Sequence, residues 1–250
     1  MQWQWESEAR DILGQADEPA PAPPGIVVEP SHCPACGHRL AFWENLPLLS
    51  FLLLRGRCRA CGKPISLQYP LVELLTGLLF ACVVWRFGAG PQALAALAFT
   101  GVLIAAAGID LRTTLLPDSL TLPLLWLGLL LSLDTVFVSP QQAILGAALG
   151  YLSLWSVYWG FRLLTGKEGM GHGDFKLLAA LGAWCGAGSL VSIILLSSIC
   201  GAVIGSLWLA LRGRDRATPI PFGPYLAVAG WLELVFRIDL PGLYLRWLGG

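Results

Sequence analysis

From Tyr69 onward the chain is nearly continuous apolar sequence broken by short polar punctuation. A helix rises 1.5 Å per residue, so roughly 20 apolar residues cross a hydrocarbon core. The pattern predicts an all-α polytopic membrane protein with seven helices, at about 69–87, 91–110, 119–138, 141–164, 174–187, 189–211 and 220–236. The fifth is short and glycine-rich, LLAALGAWCGAG. Any one segment alone would also suit a buried helix of a soluble protein; seven in succession with so few charges do not. Ahead of them, MQWQWESEARDILG is polar and ADEPAPAPPG is rich in Pro and Ala. Residues 1–30 therefore read as a loose tail and linker, without the apolar stretch of a signal peptide. Residues 31–68 form a separate cysteine-bearing segment, and 69–250 the membrane domain.

Composition sharpens this picture. The chain is 56% hydrophobic and 13% charged, with a mean hydropathy of +0.67, against about 25% charged residues in a soluble domain. The formal net charge is zero and gives no argument for a nucleic-acid partner. The distribution of charge says more. If residues 1–68 are cytoplasmic and each segment crosses once, the outer side holds only Arg86, Arg237 and Arg246 of the 16 Lys and Arg residues. That bias follows the positive-inside rule and sets Asp110, Asp118 and Asp174 at the cytoplasmic ends of their helices.

Two C-x2-C knuckles, Cys33/Cys36 and Cys58/Cys61, lie 21 residues apart, and each is followed by Gly. A tight turn there lets backbone amides point at sulfur. Four thiolates at this spacing suit a closed, structural tetrahedral zinc site. Two disulfides are the alternative, disfavoured by a reducing cytoplasm. His32 and His38 are neighbours that could replace a cysteine ligand, and Cys82, Cys185 and Cys200 read as packing residues in apolar helices.

An ionisable group in a membrane segment is costly and is a functional hypothesis by default. Glu73, Asp110, Asp118 and Asp174 are the four such acids on the cytoplasmic side. Asp118 follows Pro117 and suits an N-cap. Glu73 suits a structural contact at a helix start. Asp110 ends an apolar helix, where the macrodipole disfavours an anion, so it needs a compensating reason; pairing with Arg112 is one. Asp174 lies in GMGHGDFK, where Gly171 and Gly173 permit close approach by another chain, such as a peptide substrate; an N-cap role is the simpler reading. Two aspartates on different helices at one depth suggest an aspartic-protease dyad sharing a proton. No G-x-S-x-G, H-E-x-x-H or P-loop pattern occurs, and His172 beside two Asp is a poor metal site. The clustering of acids at one face argues against a proton-relaying transporter.

The cysteine tetrad, ENLPLLSFLLLRGRC, YPLVELLTG, IDLRTTLLPDSLTLPLLWLGLL, GKEGMGHGDFKLLAALGAW and TPIPFGPYLAVAGW together resemble the type IV prepilin peptidases, the GxGD-type membrane aspartic proteases, from about Cys33 to Trp247. The spacing of that family's catalytic aspartates is similar to that of Asp110 and Asp174, 64 positions apart. The resemblance implies catalysis by those two, with Gly171, Gly173 and Lys176 supporting the active-site loop. It implies cleavage of the basic leader of type IV prepilins and type II secretion pseudopilins after a Gly, at the cytoplasmic face of the bacterial inner membrane. It also implies N-methylation of the new N-terminus with S-adenosylmethionine, for which Glu73 and the turn at Pro219–Pro224 are candidates; that turn also reads as a rigid lead-in to the last helix. The family carries a further apolar helix ahead of the zinc segment, and the expectation here is seven crossings. A non-catalytic scaffold of a pilus or secretion assembly is the alternative function.

Overall fold

The computed structural model describes residues 31–167, 170–212, 221–238, 240 and 242. The tail expected over 1–30, and Pro219 of the proline-rich turn, lie outside the described residues. The chain divides into two compact units, Met1–Leu75 and Thr76–Gly250. The α-helices named among the described residues are α1 (Leu49–Leu53), α2 (Gln68–Phe87), α3 (Pro91–Thr113), α4 (Asp118–Leu133), α5 (Pro140–Thr165), α6 (His172–Cys185), α7 (Leu190–Arg212) and α8 (Gly223–Phe236). No strand is present among the described residues, and the unit boundary falls inside α2.

In the first unit, the two cysteine knuckles are built alike. Cys33 N–H donates to His38 O and Gly37 N–H to Cys33 O, both at 2.9 Å; Cys58, Lys63 and Gly62 repeat this at 2.9 Å. Gly37 and Gly62 both have φ of 69°, a left-handed turn that a side chain would strain. One isolated bridge closes each knuckle, His32 with Arg39 and Arg57 with Pro64. The glycines expected to end the knuckles do so.

In the second unit, α6 is the central helix and packs against α5, α4 and α8. From Asp174 to Trp184 every residue but Lys176 is buried. Glycines let it sit this close: a Cβ on Gly146 of α5 would collide with the backbone carbonyl of Gly182, and one on Gly150 with that of Leu178. On the α4 side, Trp184 lies over Gly128 and donates its indole N–H to Leu124 O at 2.8 Å. Phe99 packs on the same indole at a centroid distance of 4.7 Å. Facing outward are Leu78, Trp126, Leu130, Leu149, Val203 and Leu207, an apolar exterior that suits lipid.

The seven predicted segments correspond in order to α2 through α8. Among the described residues, four spans are long and apolar enough to cross a membrane: Gln68–Phe87, Pro91–Thr113, Pro140–Thr165 and Ala187–Leu207. Helices α4 and α8 are apolar but shorter. With 14 residues, α6 is about 21 Å long, less than the roughly 30 Å hydrocarbon thickness. Its neighbours, not lipid, surround it.

Candidate active site and metal centre

Helix α3 ends where Thr114 turns left-handed, with φ of 53°, and donates its N–H to Asp110 O at 2.8 Å. One turn back, the Asp110 side chain is buried, the residue being 4% exposed. An anion at a helix C-terminus is disfavoured, and here it has a specific remedy. Asp110 Oδ2 accepts the backbone N–H of Gly223 at 2.9 Å. Gly223 is the first residue of α8, so the donor stands at the positive end of another helix. A Cβ at Gly223 would lie 2.7 Å from Asp110 Oδ2 and 3.0 Å from Leu116 Cδ1. The sequence offered a rigid lead-in at Pro219–Pro224; the structure makes its end a partner of the carboxylate.

Asp174 is the third residue of α6 and 8% exposed. The N-cap is Gly171, so Asp174 is not the cap that the simpler sequence reading allowed. Gly173 faces the loop between α3 and α4: a Cβ there would lie 2.7 Å from Leu116 Cβ and 3.0 Å from Leu116 O. The neighbour that requires this glycine is thus the protein's own backbone, where the sequence suggested an incoming peptide. A Cβ at Gly171 would meet Asp174 Oδ2 only at 3.8 Å, an ordinary contact. Leu116 lies against both Gly173 and Gly223. The starts of α6 and α8 therefore both meet the loop after α3 at Leu116, through Gly173, which precedes Asp174, and through Gly223, whose amide Asp110 accepts.

Lys176 also departs from its neighbours' role. Its Nζ donates to both carboxylate oxygens of Asp118 at 2.6 Å, tying the start of α6 to the start of α4. Asp118 is the first helical residue and Pro117 the N-cap, so the expected capping role of Asp118 gives way to this ion pair. His172 stacks among Tyr158 and Phe175, at centroid distances of 5.1 and 5.4 Å.

In the first unit, the sulfurs of Cys33, Cys36, Cys58 and Cys61 lie within 4.8 Å of one another. Cys33–Cys61 and Cys36–Cys58 are each 4.0 Å apart. A tetrahedral zinc with bonds of about 2.3 Å needs sulfurs about 3.8 Å apart, so the tetrad fits a metal. Backbone N–H groups of Ala35 and Cys36 hold the Cys33 thiol down to about 6. The His38 backbone pulls Cys36 the same way, but desolvation and the neighbouring thiols win and push it up to about 11. Four thiolates this close repel one another, and a dication resolves the conflict.

Beside the tetrad lies a cavity of about 700 Å³, lined by Cys33, Cys58, Glu44 and Glu73 among others. Glu73 Oε2 accepts the N–H of Leu48 at 2.8 Å, so this acid has the structural contact that its position allowed, while still lining the cavity. Leu48 is held at φ of 59° by that bond. Glu44 was missed by sequence reasoning. It sits at the third position of the turn Phe42–Asn45 and reaches back to accept Ala41 N–H at 2.8 Å. The signal available was a Glu three residues after a turn start, half of a capping box.

Comparison with known proteins gives the family. The profile of the Type IV leader peptidase family matches residues 97–206, and that of the Bacterial Peptidase A24 N-terminal domain matches residues 18–87. A prepilin leader peptidase/N-methyltransferase of Xanthomonas campestris is 61% identical over 249 residues, covering 100% of this chain and 87% of the relative. One from Stutzerimonas stutzeri is 52% identical over 246 residues, 98% of this chain and 85% of the relative. One from Pseudomonas aeruginosa is 51% identical over 249 residues, 100% and 86%. The chain belongs to the type IV prepilin peptidase family. No solved structure matches it. As a prepilin peptidase family member with several apolar helices, it is a multi-pass inner-membrane protein.

Proposed function

We propose that this protein is a prepilin leader peptidase and N-methyltransferase in which Asp110 and Asp174 form the catalytic dyad. The observation that supports the dyad is convergence: Leu116 lies against Gly173, next to the buried Asp174, and against Gly223, whose amide the buried Asp110 accepts. In the chemistry of such a pair, the ionised carboxylate takes a proton from water as the water oxygen bonds to the scissile carbonyl carbon. The protonated partner gives its proton to the carbonyl oxygen. Collapse of the tetrahedral species breaks the C–N bond, and the proton moves to the leaving amine. Because the carboxyls share a proton, the pair titrates with two apparent values of its own. Gly171 and Gly173 shape the start of α6, and Lys176 anchors it to α4 through Asp118.

The substrates are prepilins and type II pseudopilins, cut after a Gly at the cytoplasmic face. The Lys and Arg bias supports that orientation for residues 31–68 and for both aspartates. Zinc held by Cys33, Cys36, Cys58 and Cys61 braces a segment too small to fold on its own core. S-adenosylmethionine, when bound, supplies an electrophilic methyl group. Glu73 is a candidate for its site, since it lines the cavity of the first unit. The processed N-terminus would have to be a neutral amine, its ammonium proton already lost, for its lone pair to accept the methyl group that the donor would supply.

The test is cleavage of a purified prepilin in detergent. Asp110→Asn and Asp174→Asn should each lower the rate by roughly a thousandfold while zinc content stays at one per chain. Cleavage at the wild-type rate by either variant would remove the dyad. Mass spectrometry of the product reports leader removal and methylation separately.

A further inference from the structure

We infer that Asp118 is a positioning residue for the proposed dyad: through Lys176 it holds the start of α6, which carries Asp174, against the loop that follows Asp110. This rests on the dyad reading above. Asp118 is the first residue of α4 and Pro117 is the N-cap, so capping does not explain the acid. Its two carboxylate oxygens instead both accept from Lys176 Nζ at 2.6 Å. Lys176 is itself out of pattern, the one residue from Asp174 to Trp184 that is not buried. The pair keeps contact with solvent, with 29% of the Lys176 side chain and 55% of the Asp118 side chain exposed. Exposed ion pairs add little to stability, so holding the fold together is a poor reason for this one.

The geometry supplies a better reason. Only Thr114, Leu115, Leu116 and Pro117 separate the end of α3 from the start of α4. This connection has little freedom. Thr114 is left-handed at φ of 53° with its N–H on Asp110 O at 2.8 Å, and the ring of Pro117 fixes its own φ. A displacement of Asp118 is therefore passed back along a stiff tether to the last turn of α3, where Asp110 sits. On α6, Gly173 and Lys176 are three positions apart and share a face. Gly173 meets Leu116, and Lys176 meets Asp118 two residues further on. The contact of Leu116 with Gly173 limits how near the two segments come. The ion pair limits how far they part. Together they set a spacing, which two carboxyls that share one proton require.

The test is steady-state cleavage of a purified prepilin by the full-length protein in detergent. Asp118→Asn and Lys176→Gln should each lower kcat by roughly ten- to a hundredfold with KM little changed. The double variant should be no worse than the worse single one, since each residue acts through the other. Lys176→Arg, whose planar fork matches a carboxylate, should recover most of the rate. The pH profile separates positioning from folding. Carboxyls held less closely couple less, so the two apparent values of the dyad draw together and the active pH range of Asp118→Asn narrows. Asp134→Asn, exposed at the far end of α4, is the control and should match wild type throughout. Wild-type kcat in both single variants, a rise in KM alone, or losses that add in the double variant would each overturn the inference. So would failure of both single variants to fold, because the pair would then be a structural brace. The dyad is judged apart, by Asp110→Asn and Asp174→Asn. If those abolish cleavage while Asp118→Asn leaves it unchanged, the dyad stands and this inference falls.

Discussion

Gly223 shows how much one hydrogen atom can decide. Its N–H meets Asp110 Oδ2 at 2.9 Å, and a methyl group there would press on that oxygen and on Leu116 together. Gly223→Ala should cost about 1–3 kcal/mol of stability from overpacking and cut leader cleavage more deeply than zinc content or expression. Parallel measurement of the three in membranes checks this. Glu44 sets a pH dependence in the first unit. The Ala41 amide, with help from His38 and Arg59, holds its carboxyl below the usual glutamate range. A folded-state value below the unfolded one means the stabilisation is present above the unfolded value, about 4.3, and is lost as pH falls through the folded one. Acidification below about pH 4.3 should therefore destabilise the first unit, and Glu44→Gln should flatten that part of the profile. The difference between the two proteins isolates this carboxyl from the thiolates, which both share.

At the scale of elements, the helices were legible because membrane-crossing segments need long apolar runs, and runs are visible without contacts. The expected 141–164 became Pro140–Thr165 and the expected 220–236 became Gly223–Phe236. The expected 119–138 overshot, because α4 stops at Leu133 and Thr135 turns left-handed, with φ of 52°, while the sequence stays apolar. The site divided differently. Asp110 and Asp174 stood out since a carboxylate in apolar sequence has few ordinary reasons to be there. Their partners did not. A backbone amide 113 positions away leaves no mark in residue type, and Leu116 looks like any other leucine. The glycine contacts between α5 and α6 give a direct test. Gly182→Val should drive a side chain into the backbone of Gly146 and lower folded yield in the membrane by overpacking. Gly160→Val, on the same helix as Gly146 and with open space around its Cβ position, should be tolerated. Equal yields would contradict the close approach.

At the scale of the whole molecule, metal and membrane stabilise different parts. Strong chelation should unfold the segment that carries Cys33 to Cys61 and leave the transmembrane helices intact, read as loss of protease protection in residues 31–68 alone. Topology is testable as well. Reporters fused at Leu115 and Gly166 should report the cytoplasm, and those at Val136 and Gly188 the outer side. The two buried aspartates are set by segments far apart in the sequence, and the amide of Gly223 comes from α8, late in the chain. During synthesis, the earlier helices insert while that helix is still inside the ribosome. If Asp110 is one of the proposed pair, a catalytic acid that takes its hydrogen bond from α8 is completed only once that late helix has joined the earlier ones in the bilayer.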